Sequence, residues 1–283
     1  MKQIIPLLLM LLLFMASCAN PGQANRDLPQ DSSLPKAPPT IGYKVEAVYP
    51  HDSTYFTEGL EYFNNELWES SGGNMAESPY PSVIGVVNTK TGKNDPHVIL
   101  DRRKYFAEGI SFFQDKLYWL TLDNGVGFVY DATTFKQTGS FKIPSLEGKG
   151  WGLTHDEHHL ILSDGTDRLY YLHPDSLKLV KHIKVSDQNG PVNNLNELEY
   201  VHGKIFANQW LTNWLLIIDP QTGYVLARID LSTLQDDADK KLPVKRELNG
   251  IAYNATTNRF MITGKKWTEM YEISIDPLPA AQQ

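Results

Sequence analysis

The sequence predicts an all-β chain folded as a five-bladed β-propeller, with four antiparallel strands per blade and an N-terminal strand closing the last blade. Three observations carry this. A short anchor recurs five times, as Glu58-Gly-Leu-Glu-Tyr, Glu108-Gly-Ile-Ser-Phe, Trp151-Gly-Leu-Thr-His, Asn196-Glu-Leu-Glu-Tyr and Asn249-Gly-Ile-Ala-Tyr, at intervals of 50, 43, 45 and 53 residues. Each anchor opens a series of short apolar runs separated by Asn, Asp, Gly and Pro turns. The fifth unit lacks its fourth run, and the unassigned stretch Tyr43–Tyr49 can supply it. Closing a ring with one strand from each end of the chain removes the free sheet edge.

The elements follow in order. Met1-Lys2, an apolar run from Ile4 to Met15 and Ala16-Ser17 form a charged start, a short apolar core and a small-residue end, so residues 1–17 are expected to be an export signal. Small residues directly before Cys18 resemble a bacterial lipobox, with Met15 where leucine is usual. Cys18 is therefore the expected lipidation site, and the chain an envelope lipoprotein, periplasmic or on the outer membrane, that meets the membrane only through its anchor. Cys18 is the one cysteine, which excludes an intrachain disulfide. Residues 18–40 are rich in Pro, Ser, Gln and Asn without hydrophobic period, and read as a disordered tether. The propeller is expected over 41–275, with a tail at 276–283.

Within the propeller the second runs are Leu67-Trp68, Leu117–Trp119, Leu160–Leu162, Ile205–Ala207 and Phe260–Ile262. The third are Val83–Val87, Gly127–Tyr130, Leu169–Leu172, Leu215–Ile218 and Met270–Ile273; Val98–Leu100, Phe141–Ile143, His182–Val185 and Val225–Ile229 complete four units. Leu231–Lys241 reads as a helical insertion between blades four and five, and the loop 72–81 lengthens blade one.

Charge narrows the function classes. Lys and Arg total 26 against 33 Asp and Glu, a net charge of −7, and no basic run occurs. Nucleic acid is therefore not an expected partner. In a propeller the start of each first strand and the end of its neighbour meet near the axis at one face. That mouth collects Phe56, Glu58, Phe106, Glu108, Trp151, Asn196 and Asn249 from the starts, and Ser70, Thr121, Asp164, Gln209, Trp210 and Lys265 from the ends. Polar groups converging beside aromatic walls describe a small-molecule pocket. His155, His158 and His159 lie in a turn away from that mouth without regular ligand spacing and read as a solvated turn. Ser163-Asp164-Gly165 lacks the glycine pattern of a nucleophile elbow.

The motifs FTEGLEY, FAEGI, GWGLTHD, LILSDGTD, LNELEYV, ANQW, LNGIAY and TGKKW, in that order, resemble the plant and bacterial glutaminyl-peptide cyclotransferases, over Tyr43 to Ile273. The resemblance implies an enzyme that turns the N-terminal glutamine of peptides or proteins into pyroglutamate and releases ammonia; the chain is expected to be a monomer. It implies Glu108 as acid/base residue, Phe56, Asn196, Trp151, Trp210 and Lys265 around the substrate, and no required cofactor. The chain departs from the family pattern at Glu58, where Gln is usual, and at Leu122, where Trp is usual.

The chemistry suits these residues. An α-amine with a pKa of about 7.7–8.0 must lose a proton before it attacks its own side-chain amide. One carboxylate can take that proton and return it to departing ammonia. Glu58 is expected either to meet the substrate amine or to pair with Lys265, and Asn249 either to bind substrate or to cap loop backbone. Two alternatives keep the mouth and change its use. A metal-dependent lactonase or hydrolase would ring a divalent cation with Glu58, Glu108, Asn196 and Asn249, and the channel also leaves room for a purely structural cation. A non-catalytic propeller would only bind a partner.

Overall fold

Five four-stranded antiparallel sheets repeat the sequence period, each running outward from a first strand at the axis. The computed structural model describes residues 36–76 and 78–275. The expected export signal, Cys18, most of the tether and the 276–283 tail lie outside the described residues.

Blade one comprises Thr57–Phe63, Glu66–Ser71, Val83–Val87 and Asn94–Ile99. Blade two comprises Ala107–Phe113, Lys116–Thr121, Val126–Asp131 and Gln137–Lys142. Blade three comprises Leu153–His155, Leu160–Ser163, Arg168–Leu172 and Leu179–Lys184. Blade four is Leu195–Val201, Lys204–Gln209, Trp214–Ile218 and Val225–Asp230. Blade five has three consecutive strands, Leu248–Asn254, Arg259–Gly264 and Glu269–Ser274, and takes its fourth from Lys44–Pro50. That strand runs antiparallel to Glu269–Ser274, so the N-terminal strand closes the ring as expected. The chain joins the fold before it: Thr40–Ile41 pairs in parallel with Arg228 and Ile229 on the rim of blade four. The helix Ser232–Lys241 lies between blades four and five and buries Leu234 and Ala238.

The apolar core is divided among the seams between adjacent blades. Phe112, Trp119 and Ile84 pack between blades one and two, Tyr118, Leu120 and Leu160 between two and three, and Ile161, Leu195 and Ile205 between three and four. Phe206, Phe260 and Trp267 fill the seam between four and five, with the helix against them. The closing seam, between five and one, is smaller, with Leu60, Leu67, Ala252, Met261 and Met270 at its centre. It is reinforced by polar bonding. His51 donates to the Trp267 carbonyl (2.8 Å) and bonds Glu69 (2.9 Å), which also accepts from the Thr57 hydroxyl (2.7 Å).

The anchor glycines permit close approach of backbones near the axis. A Cβ on Gly109 would stand 2.6 Å from the Trp151 carbonyl oxygen, and one on Gly152 would stand 2.0 Å from that of Asn196. The first strands form no ladder with one another, and several of their backbone N–H groups are accepted by side chains from neighbouring blades. Glu61 accepts from Phe112 (2.8 Å), Thr154 from Tyr200 (3.1 Å) and Glu199 from Tyr253 (2.8 Å). These are the fourth residues of the first, third and fourth anchors; the second and fifth have Ser111 and Ala252 there. Glu197, which replaces the anchor glycine in blade four, accepts from Leu60 (3.3 Å) and Ile251 (2.9 Å) at once. Blades are thus tied across their seams by carboxyl groups as well as by packing.

Candidate active site

At the mouth, four of the five first strands lose regular register just where the anchors begin. The pairing slips between Thr57 and Gly59, Ala107 and Ile110, Leu195 and Leu198, and Leu248 and Ile251. The slipped residues include Glu58, Glu108, Asn196 and Asn249. An irregularity of this kind breaks the alternation of a strand and re-aims a side chain. Here it sets four polar side chains near the axis at one end of the first strands.

A cavity of about 260 Å³ opens there, lined by Phe56, Glu58, Phe106, Glu108, Leu122, Lys149, Trp151, Asn196, Trp210 and Lys265. Its size falls slightly below the roughly 300–1,000 Å³ of drug-sized sites, which suits one terminal residue better than an extended segment. A depression of about 450 Å³ along the rim of blades five and one, and another of about 300 Å³ beside the helix, are more open and lack this meeting of buried ionisable groups with aromatic walls.

Two aromatic pairs frame the cavity. Trp151 and Trp210 meet edge to face with centroids 5.4 Å apart, and Phe56 and Phe106 do the same at 6.0 Å. Between them stand Glu58 (2 % exposed), Glu108 (4 %) and Lys265 (7 %). The Lys265 ammonium donates to Glu58 at 2.9 Å and lies 4.7 Å from the centre of the Phe56 ring. Burial alone would lower the Lys265 pKa; the charges of Glu58 and Glu108 outweigh it and raise the value above that of an ordinary lysine. Lys265 is therefore held as a cation shared by two carboxyl groups.

The surrounding bonds fix these groups in place. The Ser70 hydroxyl donates to the Glu108 carbonyl (2.6 Å) and receives the Trp119 indole N–H (2.8 Å), locking the backbone that carries Glu108. Ser163 does the same between blades three and four, donating to the Asn196 carbonyl (2.7 Å) and accepting from the Gly152 N–H (2.8 Å). It is a structural hydroxyl. Two atoms of the lining residues lack any partner: the indole N–H of Trp151 and the side-chain oxygen of Asn196. A buried donor and a buried acceptor left open beside a cavity are what a polar ligand would satisfy.

The expected residues thus gather, with one exception. Asn249 does not line the cavity. Its amide donates to the Thr57 carbonyl (2.9 Å) and to Glu58 (3.3 Å), so it stands behind Glu58 and steadies it. Of the alternatives left open in the sequence, Glu58 makes the ion pair with Lys265 and Asn249 bonds backbone at Thr57, the first residue of a strand. Asp164 is likewise spent on its own loop, accepting from Tyr170 (2.9 Å) and Thr166 (2.6 Å). Sequence reasoning passed over Lys149, which belongs to no repeat motif, and did not assign the Phe106 ring as a wall.

Among the described residues no cluster of three or more His, Cys, Asp or Glu side chains has the geometry of a metal site. Within the set Glu58, Glu108, Asn196 and Asn249, the Glu58 carboxyl group is contacted by the Lys265 ammonium and the Asn249 amide. His155 and His159 bond Asp156 within their own turn, and His158 is exposed.

A family model described as glutamine cyclotransferase matches residues 9–275. The chain is 33 % identical over 237 residues to the glutaminyl-peptide cyclotransferase of Arabidopsis thaliana, covering 82 % of this chain and 71 % of that protein. Among solved structures it is similar to the Myxococcus xanthus glutaminyl cyclase, with a TM-score of 0.76 and 28 % identity over 86 % of this chain and all of the other.

Proposed function

The chain belongs to the glutamine cyclotransferase family, and from that premise we propose that it cyclises the N-terminal glutamine of peptides or proteins to pyroglutamate, with Glu108 moving the proton. The observation that carries this reading is a carboxyl group only 4 % exposed that nevertheless lines an open cavity, beside a buried lysine and between two aromatic pairs.

In this mechanism the substrate side chain lies bent between the Trp151–Trp210 and Phe56–Phe106 walls, so that its amine meets its own amide carbonyl. Attack is intramolecular, and holding this conformer supplies much of the barrier reduction. Glu108 takes the proton from the amine as the N–C bond forms, and gives it to the amide nitrogen as ammonia departs. Lys265 provides the fixed positive charge for the oxyanion of the tetrahedral intermediate, and Glu58 holds that ammonium in place. The open N–H of Trp151 and the open oxygen of Asn196 supply one donor and one acceptor for orienting the substrate.

The same reading keeps the chain as an envelope lipoprotein tethered through Cys18, working on peptides without a required cofactor; fatty-acid labelling lost in Cys18→Ser would support the anchor. The reaction is tested by ammonia release from a Gln-Ala amide peptide, with and without chelator. Glu108→Gln is expected to reduce turnover at least about a hundredfold with chelator having no effect on the parent. Near-normal turnover by Glu108→Gln would refute the assignment, and chelator-sensitive hydrolysis of lactones would favour the metal-dependent alternative.

A further inference from the structure

We propose that Lys149 makes the pocket selective for substrates carrying a carboxylate within one residue of the cyclising glutamine; this rests on the cyclase reading and specifies its substrate class. Lys149 is a second cation in the lining, and unlike Lys265 it forms no ion pair with a carboxylate of the described residues. A half-buried ammonium at a cavity wall without its own counter-ion is available to a ligand's.

The position is built rather than incidental. The Ser145 hydroxyl closes a turn on the Lys149 carbonyl (2.6 Å), and the Gly148 N–H returns to the Ser145 carbonyl (3.2 Å). The turn is pinned from outside: Tyr170 accepts from the Leu146 N–H (3.2 Å) and donates to Asp164 (2.9 Å). On the other side of Lys149, Gly150 is packed so closely that a Cβ would stand 2.9 Å from the Leu120 side chain and 3.0 Å from that of Ile143. The lysine is held between a tied turn and a filled seam, two residues before Trp151.

Its place in the ring gives the pocket polarity. Glu58 and Lys265 belong to blades one and five and Glu108 to blade two, while Lys149 leads into blade three, across the ring from Glu58 and Lys265 and one blade on from Glu108. A peptide whose amine lies at the glutamates extends away from them, and Leu122, which also lines the cavity, offers no competing charge. A carboxylate directly behind the glutamine then meets an ammonium. It comes either from a C-terminal main chain, as in a dipeptide, or from an acidic side chain at the second position.

Four peptides separate these sources: Gln-Ala amide, Gln-Ala acid, Gln-Asp amide and Gln-Lys amide, assayed for ammonia release. The parent should favour one or both carboxylate peptides over Gln-Ala amide by roughly tenfold in kcat/KM, mostly through KM, as for a charge-assisted hydrogen bond. Lys149→Gln should bring that ratio close to one, Lys149→Arg should preserve it, and added salt should shrink it. A preference for Gln-Ala acid alone assigns the main-chain carboxylate, and one for Gln-Asp amide alone assigns the side chain. Cyclisation of Gln-Ala amide with no preference in the parent, or with the ratio unchanged in Lys149→Gln, overturns this inference alone. An equal slowing of all four peptides in both variants also overturns it, by making Lys149 structural. Ammonia from none of the four with the parent overturns the cyclase reading and this inference with it.

Discussion

Two groups of glutamates occupy the same channel and live in opposite electrostatic worlds. At the mouth, Glu58 and Glu108 share the Lys265 ammonium beside an open cavity. Deeper in, Glu61, Glu197 and Glu199 have no cation among their contacts and accept backbone N–H groups from other blades. Burial, and then repulsion from Glu199, pushes Glu61 and Glu197 well above the usual carboxylate range. Glu199 is pushed up to about 8, mainly by burial. Glu61 and Glu199 keep partial contact with solvent at the far end of the channel, and Glu197 has almost none. Glu58 and Glu61 stand only three residues apart in one anchor, so residue type and local motif do not decide the role. The partner across the seam decides it: a lysine and a cavity in one case, an unpaired N–H in the other.

The largest expected contrast separates activity from stability. Glu108→Gln should cost about a hundredfold or more in turnover while leaving the urea midpoint almost unchanged. Glu197→Ala should do the reverse. It strands the N–H groups of Leu60 and Ile251 in the channel and should destabilise the fold by about 2–4 kcal/mol, read by urea unfolding. If Glu197→Ala left the midpoint in place, the inner carboxyls would not be ties between blades.

A smaller effect comes from pH. The inner carboxyls have folded pKa values above their unfolded ones, so between those values the native state holds protons that the unfolded chain has released. Their contribution is complete below the unfolded carboxylate value of about 4.5 and is lost as pH rises through the folded value of about 8 for Glu199. His51 adds to the same trend. Burial would lower its pKa, but Glu69 raises it overall, so its contribution is also lost as pH rises past its folded value. The urea midpoint should therefore fall across this range. Glu199→Gln should flatten some of the slope and leave the His51 share. An unchanged slope in that variant would contradict the contrast between the two groups.

The smallest effect is at Ser111, whose buried hydroxyl has no hydrogen-bond partner. It occupies the anchor position that bridges seams elsewhere, yet makes no such bond. Ser111→Ala should change stability by less than about 0.5 kcal/mol. A large loss would mean that this seam too depends on a polar tie.

The blades were legible because one anchor carries both the seam glycine and the apolar residues packed around it, so its period is the period of the fold. The mouth was legible for the same reason: residues at equal places in equal units must arrive at one rim. What spacing cannot convey is which way a side chain turns once register slips. Asn249 has the same anchor position as Asn196, and differs because the Thr57 carbonyl and Glu58 lie within its reach. Lys149 was missed because an inter-blade turn has no period. The inner carboxyls were visible as Glu-x-x-Glu and Glu-x-Glu in FTEGLEY and LNELEY, but their N–H partners belong to other units, fifty residues and more away.

The sheet that completes blade five has a temporal consequence. Lys44 pairs with Ser274 and Pro50 with Glu269, while His51 reaches Glu69 and Trp267 just beside them. Nearly the whole chain must emerge before this clasp can fasten, and such distant contacts are slow to form. Until then the hoop stands open, its mouth unassembled, so competence for chemistry should appear abruptly, with the last strand to arrive.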